Sequence, residues 1–455
     1  MISDTFLNRI REQINDDEKY ELYRQSLDKE PYRALRINTL KGSFELFERV
    51  NPWGREAFEP VEWCKEGLYI ANSTDKEGTG SCGRHPYHQA GVYYIQEPSA
   101  MMPVTKLDIR SGMRVLDLCA APGGKSTQIA AALNNTGLLV SNEPNAQRSG
   151  ILSENVERMG IANGLVICHN PEDISSRFAG YFDRILVDAP CSGEGMFRKN
   201  DNAAGEWSEE NVIMCSERQK LILAEAVKML RPNGRIVYST CTFAPAEDEE
   251  MAEWLVKQYP AFRLTEHKKL WPFDIKGEGH YYAVFDRGDV SKNSDRTEPA
   301  QDLKKHKSIG NIKEYIEFEK EYLTVSVNEL MPFAGTGTYT FFGDELYLLP
   351  PDFPSMDRMK VMRAGLHLGT MKKNRFEPSY ALAHFIKPDM ARNSISLSEK
   401  EADAYLHGET LRGETADSKQ KGWCLLEIDG YTLAWGKIAG GMIKNHYPKG
   451  LRNMY

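Results

Sequence analysis

No stretch of this 455-residue chain is apolar for long enough to cross a membrane or to form the core of a signal peptide, and its opening, MISDTFLNRIREQINDDEKYELY, is polar and acidic. A cytoplasmic protein with no membrane partner is expected. Paired cysteines are missing too. The eight, at 64, 82, 119, 168, 191, 215, 241 and 424, are scattered without a CxxC, which argues against a zinc ribbon or a thioredoxin-like site and predicts free thiols. The segment CGRHPYH gives Cys82, His85 and His88 a spacing that could hold a metal, but no fourth ligand accompanies them, so an ordinary loop without metal is expected. Nor is there an excess of positive charge. A formal net charge of -8 argues against blanket attraction to nucleic acid and leaves a local basic groove open. No internal repeat or low-complexity tract is visible.

What is there is an ordinary globular composition, 41% hydrophobic and 27% charged, on a chain too long for one core. Strand-like runs appear at 113–119, 137–143, 164–168, 182–188 and 235–240, with helical patterns at 124–134, 145–159 and 211–230 between them. β-Branched runs alternating with amphipathic helices predict an α/β fold with a doubly wound, Rossmann-like parallel sheet. The run HYYAVFDR, 280–287, supplies a late strand. The expected division is a small N-terminal α/β, RNA-recognition-like domain (1–92), the core domain (93–288), a polar linker (289–311), an intermediate domain (312–380) and a small β-barrel domain (381–455). Residues 434–455 carry Lys437, Lys444, Lys449 and Arg452 with no acid, beside Trp435 and Tyr447, a composition that suits a nucleic-acid surface.

The first core strand runs into LCAAPGGKSTQIA. That turn lacks both GxGxxG and GxxxxGK[ST], so it matches neither a dinucleotide fingerprint nor a Walker loop. Gly123 and Gly124 still let backbone approach a ligand at the next helix's positive end. Glu143 closes the second strand, where a carboxylate can accept from ribose hydroxyls. The combination suits an adenosyl cofactor without pyrophosphate, and S-adenosylmethionine fits best.

Two cysteines follow neighbouring strands: Cys191 in DAPCSGEGMFRK and Cys241 in YSTCTF. Both should face the cofactor crevice at the strands' carboxyl ends. Methyltransferases acting on exocyclic amines carry an Asn/Asp-Pro-Pro-aromatic tetrapeptide where this chain has Asp-Ala-Pro-Cys. A cysteine suggests a target carbon that is not nucleophilic by itself, such as carbon 5 of a pyrimidine, activated when a thiolate adds at carbon 6. One cysteine for attack and one for release would explain the pair. Arg198 and Lys199, just beyond, could hold a nucleic-acid backbone.

These residues resemble the RsmB/RsmF (Fmu/Sun) family of RNA cytosine-5 methyltransferases. The resemblance is carried, in order, by RALRINTLK, YYIQEPSAMMPV, LDLCAAPGGKSTQIA, DAPCSGEGMFRK and YSTCTFAPAEDEE, over residues 33–250. It implies a class I methyltransferase core, Cys241 as nucleophile and Cys191 in product release. It also implies cofactor contacts from Cys119, Ala120, Ala121, Pro122, Gly123, Gly124 and Lys125, and from Glu143, Arg148 and Asp188. At the end of the third strand stands Asn170, where relatives often have Asp; its amide oxygen can accept from an adenine amine, and Asp173 could substitute. The tail, with PSYALAHFIKP and GWCLLEIDGYTLAWGKIAGGMIKNHYPKGLR, looks like the RsmF branch, which ends in a PUA-like RNA-binding domain and acts on small-subunit (16S) ribosomal RNA. A monomer is expected. The same catalytic core also occurs in relatives acting on transfer RNA, and an RNA-binding assembly factor that has lost catalysis remains the alternative from another class.

Overall fold

Runs rich in Val, Ile and Leu build the centre of the protein, whose computed structural model describes residues 2–71, 81–199, 204–205, 207–288, 311–332, 335–412 and 421–452. The central sheet has eight strands: β1 (Arg114–Asp117), β2 (Leu138–Asn142), β3 (Gly164–Ile167), β4 (Phe182–Asp188), β5 (Leu230–Thr240), β6 (Phe262–Leu270), β7 (His280–Arg287) and β8 (Val361–Ala364). They lie in the order β6-β7-β5-β4-β1-β2-β3-β8. From β3 to β5 neighbours are parallel; β7, β6 and β8 run antiparallel to theirs. Helices Gly124–Leu133, Ala146–Arg158 and Glu209–Met229 connect the parallel strands, as the sequence periodicity predicts.

Two strands escape the sequence pattern. β6 reads FRLTEHKKL and buries little beyond its two ends, because it is the sheet's edge and needs few apolar residues. β8 belongs to the segment expected as a separate intermediate domain, yet it pairs with β3, Val361 opposite Ile167 and Ala364 opposite Leu165.

The N-terminal sheet, strands Ala34–Ile37, Phe58–Val61, Cys64–Ile70 and Tyr93–Gln96, is antiparallel and extends past residue 92. Its core is shared with the other end of the chain. Leu35, Phe47 and Tyr93 pack in one cluster with Leu426, Leu433 and Ile443 of the five-stranded C-terminal sheet. Tyr87 donates to Asp429 across this junction at 2.6 Å. His85 is buried here and His88 partly so, and burial lowers their pKa to about 4 and about 3, so both imidazoles are neutral. No group of residues that could hold a metal is present among the described residues. Residues 289–310, most of the expected linker, lie outside the described residues.

Candidate active site

The strand order reverses between β1 and β4, and a crevice at such a switch point is where open α/β sheets bind ligands. Four consecutive strand ends line it. After β1, Cys119, Ala120, Ala121 and Pro122 lead into Gly123, whose φ of +116° no L side chain adopts comfortably. The helix begins at Gly124, and its start is anchored from below by Ser126, which donates to Asp117 at 2.7 Å. Burial raises the Asp117 carboxyl to about 7, against the opposing pull of Ser126. After β2, Glu143 accepts the Asn145 N–H at 2.9 Å and lies 3.5 Å from Arg148, whose guanidinium also donates to the Ala121 carbonyl at 2.9 Å. Glu143 and Arg148 thus tie the second strand end to the glycine turn. After β3, Asn170 is the N-cap of helix Pro171–Ser175, but its exposed side chain makes no capping hydrogen bond. Asp173, its substitute, is exposed one turn into that helix.

After β4 comes Asp188, and here the crevice changes character. Its Oδ2 receives the Lys125 ammonium at 2.7 Å and its Oδ1 the Ser239 hydroxyl at 2.8 Å. Burial alone would raise this carboxyl, but Lys125 and then His280 outweigh it and hold the group below the usual carboxylate range. Burial likewise opposes charge on Lys125, and Asp188 with Cys241 keeps its pKa raised. The pair therefore stands as an ion pair at the cysteine end of the crevice.

The two cysteines meet. β4 and β5 are parallel neighbours with Asp188 opposite Ser239, so residues three and two positions further on emerge side by side. Cys191 Sγ and Cys241 Sγ are 3.3 Å apart, both partly exposed and not disulfide-bonded. The Cys191 thiol is pushed well above its ordinary value, first by its hydrogen bond with Cys241, then by burial and by the charge of Cys241.

Two reciprocal carboxylate clamps fix this pair. Glu247, from the segment after Cys241, is fully buried and accepts from the Ser192 N–H at 3.0 Å, the Ser192 hydroxyl and Gln219 at 2.8 Å. Glu194, from the loop after Cys191, accepts from the Phe243 N–H at 3.1 Å and from Trp207 at 2.8 Å, and pairs with Arg9 at 2.6 Å. Each loop is held by a side chain of the other. Between them Gly195 donates to the Cys241 carbonyl at 2.9 Å, and a Cβ on it would sit 3.1 Å from that oxygen.

Sequence reasoning did not reach His280, Glu194, Glu247 or Lys269. His280 opens β7, is buried, and holds Nε2 3.6 Å from Asp188 Oδ1. Burial lowers its pKa, so the imidazole is neutral. A histidine between GEG and the run YYAVF was the available signal.

The expected nucleic-acid contacts divide. Arg198 is corrected to a structural role: its side chain is only 5% exposed and binds Glu278 at 2.7 Å, the Ser26 carbonyl at 2.9 Å and the Gly277 carbonyl at 3.0 Å. Arg452 is likewise drawn inward, donating to Asn445 at 2.9 Å and to the Tyr447 carbonyl at 3.0 Å. Lys199, Lys444 and Lys449 are exposed. Lys437 stands directly opposite Lys444 across two antiparallel strands, over the Trp423 ring at 5.1 Å. Like charges so placed repel unless an anion joins them.

An adenosyl cofactor fits these residues, since the Gly123 turn opens backbone to the crevice and Glu143 brings a buried carboxylate to the end of β2. If Glu143 holds a ribose, Glu143→Ala should weaken S-adenosylmethionine binding by about 1 to 3 kcal/mol, the range for losing charge-assisted hydrogen bonds. Titration calorimetry giving the parent affinity would remove Glu143 from the site.

Residues 104–285 match the family described as 16S rRNA methyltransferase RsmB/F. Residues 2–98 match the N-terminal domain of 16S rRNA methyltransferase RsmF, 317–386 the first C-terminal domain of the RsmF rRNA methyltransferase, and 392–453 its PUA domain. A protein of Shewanella oneidensis named ribosomal RNA small subunit methyltransferase F is 30% identical over 92% of this chain and 90% of its own length. Its namesake from Shewanella putrefaciens is 30% identical over 99% of this chain and 96% of its own. Among solved structures, a methyltransferase homolog protein from Pyrococcus horikoshii is 25% identical, with a TM-score of 0.52 over 63% of this chain and 100% of that one.

Proposed function

Because the chain belongs to the RsmB/RsmF family of ribosomal RNA methyltransferases, we propose that it methylates carbon 5 of a cytosine in 16S ribosomal RNA, using S-adenosylmethionine. The observation that carries this reading is the contact of Cys191 and Cys241, 3.3 Å apart beside the Asp188–Lys125 ion pair. The bound cofactor supplies an electrophilic methyl group. Everything else is asked of the protein.

Cys241 adds as thiolate to carbon 6 of the cytosine, and the displaced electron pair makes carbon 5 nucleophilic. Once carbon 5 carries the methyl group, its proton must leave so that the electron pair can restore the double bond and expel the Cys241 sulfur. Cys191 is the base in this account. Its raised pKa comes first from the hydrogen bond with Cys241, then from burial, then from the charge of Cys241. When that sulfur is committed to carbon 6, the hydrogen bond and the charge are gone while burial remains, so the Cys191 pKa falls back toward its ordinary value. A cytosine within a helix would have to be flipped out to reach this crevice.

Bisulfite sequencing of ribosomal RNA from a deletion strain tests the function directly. The expected result is loss of one or more 5-methylcytosines from 16S RNA. Unchanged 16S RNA with a lost mark in transfer RNA would move the substrate to that class.

The paired lysines fit an RNA surface on the C-terminal domain. Converting both Lys437 and Lys444 to Ala should lower the slope of log affinity against log salt by about 1.4, two single-strand phosphate contacts at about 0.7 each. An unchanged slope in filter-binding titrations would leave them as solvated charges.

A further inference from the structure

Between the N-terminal sheet and the loop carrying Cys191 opens a groove of 730 Å³. Three segments distant in sequence bring an exposed cation to it: Arg33, Arg84 and Lys199. Glu97, the carboxylate lining it, has both oxygens engaged by neighbouring donors. One of its oxygens takes the Ala100 N–H at 2.8 Å and the Ser99 hydroxyl, the other the Glu278 N–H at 2.9 Å. The wall also offers the half-buried ring of Tyr32 and Ile95, an isoleucine 38% exposed. In a chain of net charge -8, such a convergence of cations with apolar faces stands apart.

The groove borders the reaction crevice. Gln96, on its floor, reaches the cofactor turn: a Cβ on Gly124 would lie 3.3 Å from the Gln96 amide nitrogen. Glu97 grips Glu278, two residues before His280. Lys199 ends the loop that begins at Cys191, its N–H bonded to the Met196 carbonyl at 2.9 Å.

We propose that this groove is the track of the unpaired RNA strand flanking the target base. Arg33, Arg84 and Lys199 contact backbone phosphates, and Tyr32 with Ile95 gives a flat face to one neighbouring base. Stacking faces interleaved with cations suit single-stranded nucleic acid, because paired bases present no free face. The inference rests on the reading of the protein as an RNA methyltransferase, and adds where the strand runs.

The test is an Arg33→Ala, Arg84→Ala double variant of the full chain, assayed beside the parent with a 16S RNA transcript. The expected result is a KM for RNA raised about tenfold near 0.15 M salt, with a salt slope lowered by about 1.4. Both kcat and the S-adenosylmethionine affinity stay within about twofold, since neither arginine lies in the cofactor crevice or beside the cysteines. A KM and slope equal to the parent's overturn the proposal while methyl transfer by the parent keeps the wider reading intact. A parent protein that transfers no methyl group to RNA overturns that reading, and the groove with it. Photocrosslinking of 4-thiouridine RNA to the unaltered protein is independent of any variant's folding. Adducts in peptides spanning 31–34 or 81–97 support the track, and adducts confined elsewhere overturn it.

Discussion

Cys191→Ala protein mixed with substrate RNA and S-adenosylmethionine should accumulate as a covalent protein–RNA complex, visible as a slow band on a denaturing gel. With the proposed roles, attack by Cys241 is intact in this variant, methyl transfer follows, and the step that fails is removal of the carbon 5 proton. The adduct should need the cofactor and disappear when Cys241→Ser is added. Cys241→Ser alone should lose methyl transfer, because a hydroxyl is far less ionised near neutral pH and a poorer nucleophile than a thiol. With the sulfurs 3.3 Å apart, either could reach the same carbon, so distance does not assign the roles. The adduct does. A Cys191→Ser enzyme that is inactive without an adduct, beside a Cys241→Ser enzyme that still forms one, would exchange the two assignments.

The second large effect is on stability. Lys269→Met should destabilise the protein by about 3 to 5 kcal/mol, read as a shift of the urea unfolding curve, the range for leaving one member of a buried ion pair alone. Lys269 is 7% exposed and lies 3.1 Å from Asp248, which is completely buried, and 2.9 Å from Glu249. Its ammonium also donates to the Phe243 carbonyl at 2.8 Å, two residues after Cys241. Burial already pushes the Asp248 carboxyl well above the usual range, with Lys269 and the Thr240 hydroxyl pulling it back. Without Lys269 the carboxyl rises further and stays protonated in the folded state at pH values where the unfolded chain has released its proton. Folding then binds a proton, and stability falls as pH rises above the unfolded value near 4. The deficit should be smaller at pH 5 than at pH 8. Adding Asp248→Asn should recover part of it, since the amide carries no charge to strand. Equal deficits at both pH values, with no recovery, would mean that Lys269 contributes only through packing.

Local pattern carried the central features of this protein. The parallel strands and their helices were legible because a strand buried on both faces of a doubly wound sheet carries a continuous apolar run, as VL, LLV, LVI and ILV are. The glycine turn after β1 was legible because a backbone at +116° is held in Gly123, and both cysteines stood at strand ends where such sheets keep their chemistry.

What the tertiary structure decided was which distant residues face one another. The Cys191–Cys241 contact follows from the parallel register of β4 and β5, which pairs residues 51 apart, Asp188 with Ser239. Glu247 and Asp248 stand in the acidic run EDEE and yet are buried, because Ser192, Gln219 and Lys269 come to them from elsewhere. Arg198 and Arg452 read as free cations and are drawn inward by carbonyls and, for Arg198, by Glu278. β8 joins the central sheet, and the two ends of the chain share a core. Charge and polarity in a sequence give a side chain's chemistry but not its partner, since a partner brought by sheet register or domain packing can be hundreds of residues away and leaves no local periodicity.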